Sequence, residues 1–198
     1  MNFVEPIRDT DVLQDMCNYL EETNIRDYLL FMCGIYTGLR ISDILKLKVK
    51  DVKNKDFISL KEKKTGKQKI IKINPILKRA FKKYLSDREP NEYLIKSREG
   101  YNKPIKRNRA YQIIKELGLM FGIENLGTHT MRKTFGYHYY KKSKDIATLQ
   151  KIFNHSSPQI TMHYIGVIQD DLNKAYCDLR YYSVSYTHLR AHETRGNL

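Results

Sequence analysis

Apolar residues recur with helical spacing along most of the chain. After Asp9 or Thr10, either of which can cap a helix, they follow an i, i+3, i+4, i+7 stripe as far as Leu20. A second stripe begins near Ile25 and ends at Gly38, a residue type that commonly follows a helix end. The same signals predict further helices around residues 44–47, 75–85, 113–117, 130–142, 146–153 and 168–181.

Between these helices the periodicity changes to two. Residues 57–60 and 68–73 alternate between apolar and polar side chains, and the basic segment Lys63-Lys64-Thr65-Gly66-Lys67 separates them. This pattern predicts an antiparallel hairpin with a basic tip. The chain contains no internal repeat and no low-complexity linker, so we expect a mainly helical architecture with one small antiparallel sheet on an edge.

Composition narrows the class of partner. The 198 residues suffice for one domain or a tight pair, and the formal charge of +14 at pH 7 favours nucleic acid over an anionic membrane. No apolar run approaches the ~18 residues of a membrane span, and the first residues lack the apolar core of a signal peptide. Cys17, Cys33 and Cys177 are scattered and form no C-x-x-C pair, which favours a reducing, cytoplasmic compartment.

Five residues supply the chemistry needed to break and rejoin a phosphodiester. Arg40 and Arg132 can bind phosphate oxygens through paired hydrogen bonds, and His129 and His155 can donate to phosphate or accept a proton. Tyr164 can form a covalent intermediate. Taken singly, each has an ordinary alternative, such as a surface arginine beyond a helix end or one of 15 tyrosines that pack in the core.

The sequence disfavours a bound cofactor. His129, His138, His155 and His163 have no paired cysteine and no H-E-x-x-H spacing, so we expect no metal site. No glycine-rich phosphate loop precedes a helix, which disfavours the use of a nucleotide. We therefore expect the chain to work without a metal ion or cofactor.

In order and spacing, the five residues resemble the tyrosine recombinase (phage integrase) family. The segment Thr37-Gly38-Leu39-Arg40-Ile41-Ser42-Asp43 matches the family's T-G-x-R-x-x-E/D box. His129-Thr130-Met131-Arg132 is similar to its H-x-x-R motif, and Phe153-Asn154-His155-Ser156-Ser157 is similar to its L-G-H-S-S turn. Tyr164 then follows at the distance that the nucleophile has in relatives.

The chain departs from the family pattern at three places. Asn154 replaces the glycine of the turn, and asparagine is the non-glycine residue best suited to the left-handed backbone expected there. Lys133 stands where many relatives have histidine, at a position outside the core catalytic set. Met1 lies almost directly at the start of the catalytic domain, so we expect residues 1–183 to form a catalytic domain without the N-terminal helical domain that relatives carry, either as a minimal member of the family or as a chain whose N-terminal arm is missing.

The resemblance implies a role for each residue of the set. A tyrosine attacks the scissile phosphate, a lysine on the hairpin protonates the leaving 5′ oxygen, and arginines and histidines stabilise the developing charge. The implied catalytic residues are Arg40, Lys64, His129, Arg132, His155 and Tyr164, supported by Asp43. Lys63 is the alternative to Lys64 as the proton donor, and Asp43 could equally be an ordinary first-turn acid.

Other basic residues are candidates for docking nucleic acid. They lie at the hairpin tip and in the loop before residue 113, and the predicted DNA-binding residues are Lys67, Lys103, Lys106, Arg107 and Arg109. For the remaining hairpin lysines, Lys61, Lys63 and Lys69, as for Lys67 itself, we expect either a solvated charge or a nonspecific phosphate contact.

Under this resemblance the chain is a site-specific DNA recombinase that acts through a 3′-phosphotyrosyl intermediate. The implied fold is α+β, mainly helical with a small antiparallel three-stranded sheet. The implied partners are double-stranded DNA, further copies of the chain in a homotetramer on DNA, and accessory DNA-bending or directionality proteins. A type IB topoisomerase, which relaxes DNA by the same chemistry, and a non-catalytic basic DNA-binding protein are the alternatives.

The segment at residues 184–198 carries a separate signal. It back-translates to a sequence that resembles the transposase adapter of short-read sequencing libraries. We therefore expect this segment to be an adapter-derived tail and exclude it from the expected fold.

Deleting residues 184–198 should change neither stability nor DNA cleavage, because the segment has no amphipathic stripe and little apolar area to bury. Thermal melting and a DNA-cleavage assay on the truncated and full-length chains measure both quantities. A loss of stability beyond ~1 kcal/mol would show that the tail belongs to the fold.

Overall fold

The computed structural model describes residues 4–179, and the tail at residues 184–198 lies outside them. The predicted mainly helical architecture is confirmed. In chain order the elements are α1 (Thr10–Thr23), α2 (Ile25–Thr37), α3 (Ile41–Ile44), a 3-10 turn (Val49–Asp51), β1 (Phe57–Lys61), β2 (Gln68–Lys72), α4 (Pro75–Tyr84), α5 (Arg107–Met120), α6 (Thr130–Ser143), α7 (Ile146–Phe153), α8 (Pro158–Ile165) and α9 (Val167–Asp178).

Local signals in the sequence set several of these boundaries. The Asp9 carboxylate accepts hydrogen bonds from the backbone N–H groups of Asp11 and Val12, which confirms it as the cap of α1. Gly38 follows α2 with a left-handed φ of 61°, and Asn154 follows α7 with φ 55° and ψ 48°. Each of these two residues turns the chain sharply just before a candidate site residue.

The sheet has two strands within residues 4–179, so the expectation of three strands is wrong. β1 and β2 pair antiparallel, with Ser59 opposite Ile70. The segment before β1 does not add a strand because it forms the 3-10 turn, whose first N–H group, that of Val49, donates to the carbonyl of Glu92. Backbone groups that a third strand would need are therefore bonded elsewhere.

The hydrophobic periodicity does not predict α8, the helix that carries Tyr164. Ser157 caps this helix by accepting from the N–H of Ile160, and Pro158 occupies its first turn. With only 8 residues, the helix is too short to show a periodic stripe. The pair Ser157-Pro158 is the local sequence signal for the start of this helix.

Two hydrophobic clusters form the core of residues 4–179, and α6 contributes to both. The larger cluster includes residues of α1, α2, α4, α5 and the hairpin, together with Met131 near the start of α6. The smaller cluster consists of Tyr137, Leu149, Phe153, Ile165 and Val167, which come from α6, α7, α8 and the start of α9. The first turn of α6 therefore lies where the two clusters meet.

α2 and α6 approach each other closely at Gly34. A Cβ atom at this position would lie 2.5 Å from the Cβ of Met131, so no larger residue fits without movement of a helix. The close contact places the end of α2 beside the first turns of α6. It thereby brings Arg40, which follows α2, close to Arg132 of α6.

Gly34→Ala should destabilise the protein by about 1–3 kcal/mol, because overpacking at the α2–α6 contact outweighs the better helix propensity of alanine. Urea unfolding measures the difference, with Asp15→Ala at an exposed position of α1 as the control. Unchanged or increased stability in Gly34→Ala would mean that α2 and α6 can separate at no cost.

Candidate active site

An open cleft of about 690 Å³ collects most of the predicted catalytic residues. It lies between the ends of α2 and α6 and the hairpin turn. Its walls are formed by Arg40, Ile41, Ser42, Leu45, Lys46, Lys63, Lys64, Pro104, Arg107, Thr128, His129 and Arg132. Tyr164 and His155 adjoin this wall through ring contacts with His129 and with each other.

Arg132 is the buried centre of the site, with only 3% of its surface exposed. Its Nη1 donates to the carbonyl oxygen of Gly38, its Nη2 donates to that of Phe153 at 2.9 Å, and its guanidinium lies 4.3 Å from the centre of the Phe153 ring. A guanidinium has five N–H donors, so these two bonds orient the group and leave others for a ligand. Burial lowers the pKa of Arg132, and the nearby charge of Arg40 acts in the same direction.

Arg40 is held against the hairpin by a buried carboxylate. It follows the left-handed Gly38 and forms the N-cap of α3. Its Nη1 lies 3.2 Å from Oε2 of Glu62, which is an ion-pair distance, although the angles do not meet those of a hydrogen bond. Among the described residues, Nη1 of Arg40 has no hydrogen-bond acceptor.

Tyr164 and His129 form a pair with the geometry for proton transfer between their side chains. The Tyr164 Oη lies 3.2 Å from the His129 Nδ1. Burial raises the pKa of Tyr164, against the opposing charges of Arg132 and Arg40. Burial also lowers the pKa of His129, and the charges of Arg107 and Arg132 add to that effect. At neutral pH the pair is therefore a neutral phenol beside a neutral imidazole, which can accept the proton.

His155 is held beside Tyr164 by the turn after α7. The two rings meet edge to face with their centres 5.1 Å apart, and the His155 Nδ1 lies 3.1 Å from the Thr161 Oγ1. Burial lowers the pKa of His155 to about 4, helped by the charges of Arg132, Arg40 and Lys64.

Asp43 contacts the hairpin turn through the backbone. It is 1% exposed, and its Oδ1 accepts a hydrogen bond of 2.9 Å from the N–H of Lys63. The side chains of Lys63 and Lys64 are both exposed and both line the cleft. The structure therefore leaves both lysines available as proton donors, with Lys63 anchored through its backbone and Lys64 next to it.

The predicted DNA-binding residues are divided among three places. Arg107 lines the cleft itself, and the Lys67 Nζ donates to the Oδ1 of Asn154 at 3.0 Å, beside the turn that holds His155. The others line an adjoining groove of about 490 Å³. Its basic side chains are Lys103, Lys106 and Arg109, joined by Arg26 and Arg98, which the sequence motifs did not single out.

The sequence did not predict the positions of three charged residues at the site. Lys69 is not a solvated charge, because its half-buried Nζ donates to the Ile152 carbonyl at 2.6 Å and lies 3.5 Å from the Glu62 Oε1. Glu62 itself is 4% exposed. The buried Lys133 places its Nζ 5.3 Å from the centre of the Tyr164 ring. A lone acid between lysines was the only signal in the sequence for Glu62.

Between residues 4 and 179, no group of three or more histidine, cysteine or acidic side chains could hold a metal ion. None of the described helices is long and apolar enough to cross a membrane.

Comparison with known proteins gives concordant results. A model described as the phage integrase family matches residues 8–170. The probable integrase/recombinase YoeC of Bacillus subtilis is 51% identical over 176 residues, which cover 89% of this chain and 97% of YoeC. The tyrosine recombinase XerA of Pyrococcus horikoshii is 28% identical over 155 residues, which cover 77% of this chain but only 54% of that protein.

Solved structures share the fold. A crystal structure of XerA recombinase superposes with a TM-score of 0.70 at 24% identity and covers 90% of this chain and 68% of that one. A lambda integrase tetramer bound to a Holliday junction gives a TM-score of 0.64 at 15% identity, over 83% of this chain and 49% of that one. At these identities the similarity shows the fold, and it confirms the catalytic-domain fold implied by the sequence.

The His155 ring should titrate near pH 4, well below the ordinary histidine value of 6.5, in NMR spectra of the DNA-free protein. A lowered pKa means that the folded state binds the proton more weakly than the unfolded state. Stability should therefore fall as the pH drops from about 6.5 towards 4, and His155→Gln should weaken that dependence. A midpoint near 6.5 would contradict the desolvated position of this ring.

Proposed function

Because the chain belongs to the phage integrase family of tyrosine recombinases, we propose that it cleaves and rejoins double-stranded DNA through Tyr164. The observation that carries the proposal is the 3.2 Å contact between the Tyr164 Oη and the His129 Nδ1, at the side of a cleft lined by Arg40 and Arg132. The proposed nucleophile and base thus lie beside two guanidinium groups that can bind phosphate.

Cleavage begins when the Tyr164 oxygen attacks the scissile phosphorus and its proton passes to the His129 Nδ1. A P–O bond to tyrosine forms as the bond from phosphorus to the 5′ oxygen breaks. Lys64 protonates the leaving 5′ oxygen, and Lys63, the neighbouring cleft lysine, is the alternative donor. The products are a 3′-phosphotyrosyl link and a free 5′ hydroxyl.

Arginine and histidine side chains stabilise the charge that develops on the phosphate oxygens. Arg132 is suited to this role because its two backbone contacts orient the guanidinium before DNA arrives. Arg40 and His155 act from neighbouring positions, and Asp43 supports the turn that carries the lysines. The guanidinium groups thereby stabilise the transition-state charge that a metal ion stabilises in other phosphoryl-transfer enzymes.

Rejoining reverses these steps with the 5′ hydroxyl of a partner strand. The phosphotyrosyl bond conserves the energy of the broken phosphodiester, so neither ATP nor a cofactor is required. The basic residues Lys67, Lys103, Lys106, Arg107 and Arg109 dock the DNA backbone and make binding sensitive to salt.

We place this reaction in the cytoplasm, in a homotetramer on DNA. A lambda integrase of the same fold forms a tetramer on a Holliday junction, and this supports the proposed assembly. Residues 1–183 act as the catalytic domain, and accessory DNA-bending or directionality proteins would set the outcome of the exchange.

Tyr164→Phe should abolish formation of a covalent protein–DNA adduct while DNA affinity stays within about threefold, because only the nucleophilic oxygen is lost. The assay uses a nicked suicide DNA in EDTA without nucleotide, followed by denaturing electrophoresis, with Tyr140→Phe as the control. A normal yield of adduct in Tyr164→Phe would assign the nucleophile to another residue. Activity that requires a divalent ion would refute the metal-free reaction.

A further inference from the structure

We propose that Glu62 is a positioning residue of this site, which holds the lysine-bearing turn at residues 63–66 in place for protonation of the leaving oxygen. The proposal rests on the proposed function. Glu62 stands between β1 and this turn, and its carboxylate is buried with 4% exposure. A buried carboxylate needs strong partners, and those of Glu62 lie on the turn and on the wall of the cleft.

Glu62 closes the turn through its side chain and through its backbone. Its Oε2 accepts a 2.7 Å hydrogen bond from the Thr65 hydroxyl. Its carbonyl accepts from the N–H of Gly66 at 2.9 Å, and its own N–H donates to the carbonyl of Lys67 at 3.0 Å. These bonds span the turn that contains Lys64, so the position of that lysine depends on them.

The same carboxylate ties the turn to two other elements. Its Oε2 lies 3.2 Å from the Arg40 Nη1, and its Oε1 lies 3.5 Å from the Lys69 Nζ. Lys69 in turn donates to the carbonyl of Ile152 in α7 at 2.6 Å. The four residues Arg40, Glu62, Thr65 and Lys69, here called the Glu62 cluster, therefore connect the turn with the start of α3 and with the end of α7.

The charge of Glu62 is maintained in spite of its burial. Burial alone would raise its pKa, but the Thr65 hydroxyl and the charges of Lys69 and Arg40 hold the pKa below its ordinary value. Without the carboxylate, Arg40 and Lys69 would face each other as like charges. We expect the turn to move away, because the bond between it and the cleft wall that remains among residues 4–179 is the one from the Lys63 N–H to Asp43.

Substitution of Glu62 combined with a modified leaving group tests this role. Glu62→Ala and Glu62→Gln are compared with the wild-type chain for single-turnover cleavage, DNA affinity and thermal melting. The suicide DNA carries either the ordinary 5′ oxygen or sulfur at the scissile bridge. Sulfur leaves as a thiolate without protonation because thiols have a pKa near 8.5, so cleavage of this DNA does not need the lysine.

Glu21→Ala is the matched control. Glu21 joins α1 to α4 away from the cleft, and its carboxylate also accepts from a hydroxyl and an amine, those of Tyr84 and Lys83. Its replacement removes a comparable set of bonds without touching the Glu62 cluster. We expect its cleavage rates to stay within about twofold of the wild type on both DNAs.

Both Glu62 variants should cleave ordinary DNA at least tenfold more slowly, with affinity within about threefold of the wild type. On the sulfur-containing DNA the loss should shrink to about threefold or less. A merely structural defect would slow both reactions equally, so the difference between the two DNAs reports the position of the proton donor. Glu62→Gln keeps the shape of the side chain and serves where Glu62→Ala fails to fold.

Three results would overturn the proposal. They are normal rates in folded Glu62 variants, an equal loss on both DNAs, and a loss explained entirely by weaker DNA binding. The absence of adduct from the wild-type chain would instead refute the proposed function, and the proposal for Glu62 would fall with it.

Discussion

The buried guanidinium of Arg132 is the interaction on which the construction of the site depends. A charge in the interior needs hydrogen-bond partners, and the last carbonyls of a helix lack partners within their own helix. Arg132 meets both needs, because it donates to the carbonyls of Gly38 and Phe153 at the ends of α2 and α7. One side chain of α6 thereby fixes the two helix ends that precede Arg40 and His155.

Several cationic side chains line the cleft, and the two buried carboxylates of Asp43 and Glu62 offset part of their mutual repulsion. Asp43 and Glu62 are 1% and 4% exposed, and the charges of both counteract the lowering of the Arg132 pKa. Mutual repulsion among the remaining cations is a cost to the folded state. A phosphate in the cleft would relieve that repulsion, so the same charges that strain the free protein favour its proposed substrate.

The protonation states of Tyr164 and His129 also depend on whether a phosphate group of DNA is bound in the cleft. Burial leaves Tyr164 protonated and His129 neutral in the absence of DNA. The charges of Arg132 and Arg40 favour a phenolate but disfavour an imidazolium. They therefore favour loss of the proton by Tyr164 and oppose its acceptance by His129. An anionic phosphate next to His129 would stabilise the imidazolium. Binding of the substrate would therefore favour the proton transfer that cleavage requires.

Features that depend on neighbouring residues could be predicted from the order of the amino acids. These are a helix cap at Asp9 or Thr10, the left-handed turns at Gly38 and Asn154, most of the helices and the set of residues whose order implied a tyrosine recombinase. Which elements meet depends instead on how the folded chain packs. The number of strands, the burial of Lys69 and Glu62 and the contact between Tyr164 and His129 all depend on partners distant in the chain, whose approach no local periodicity records.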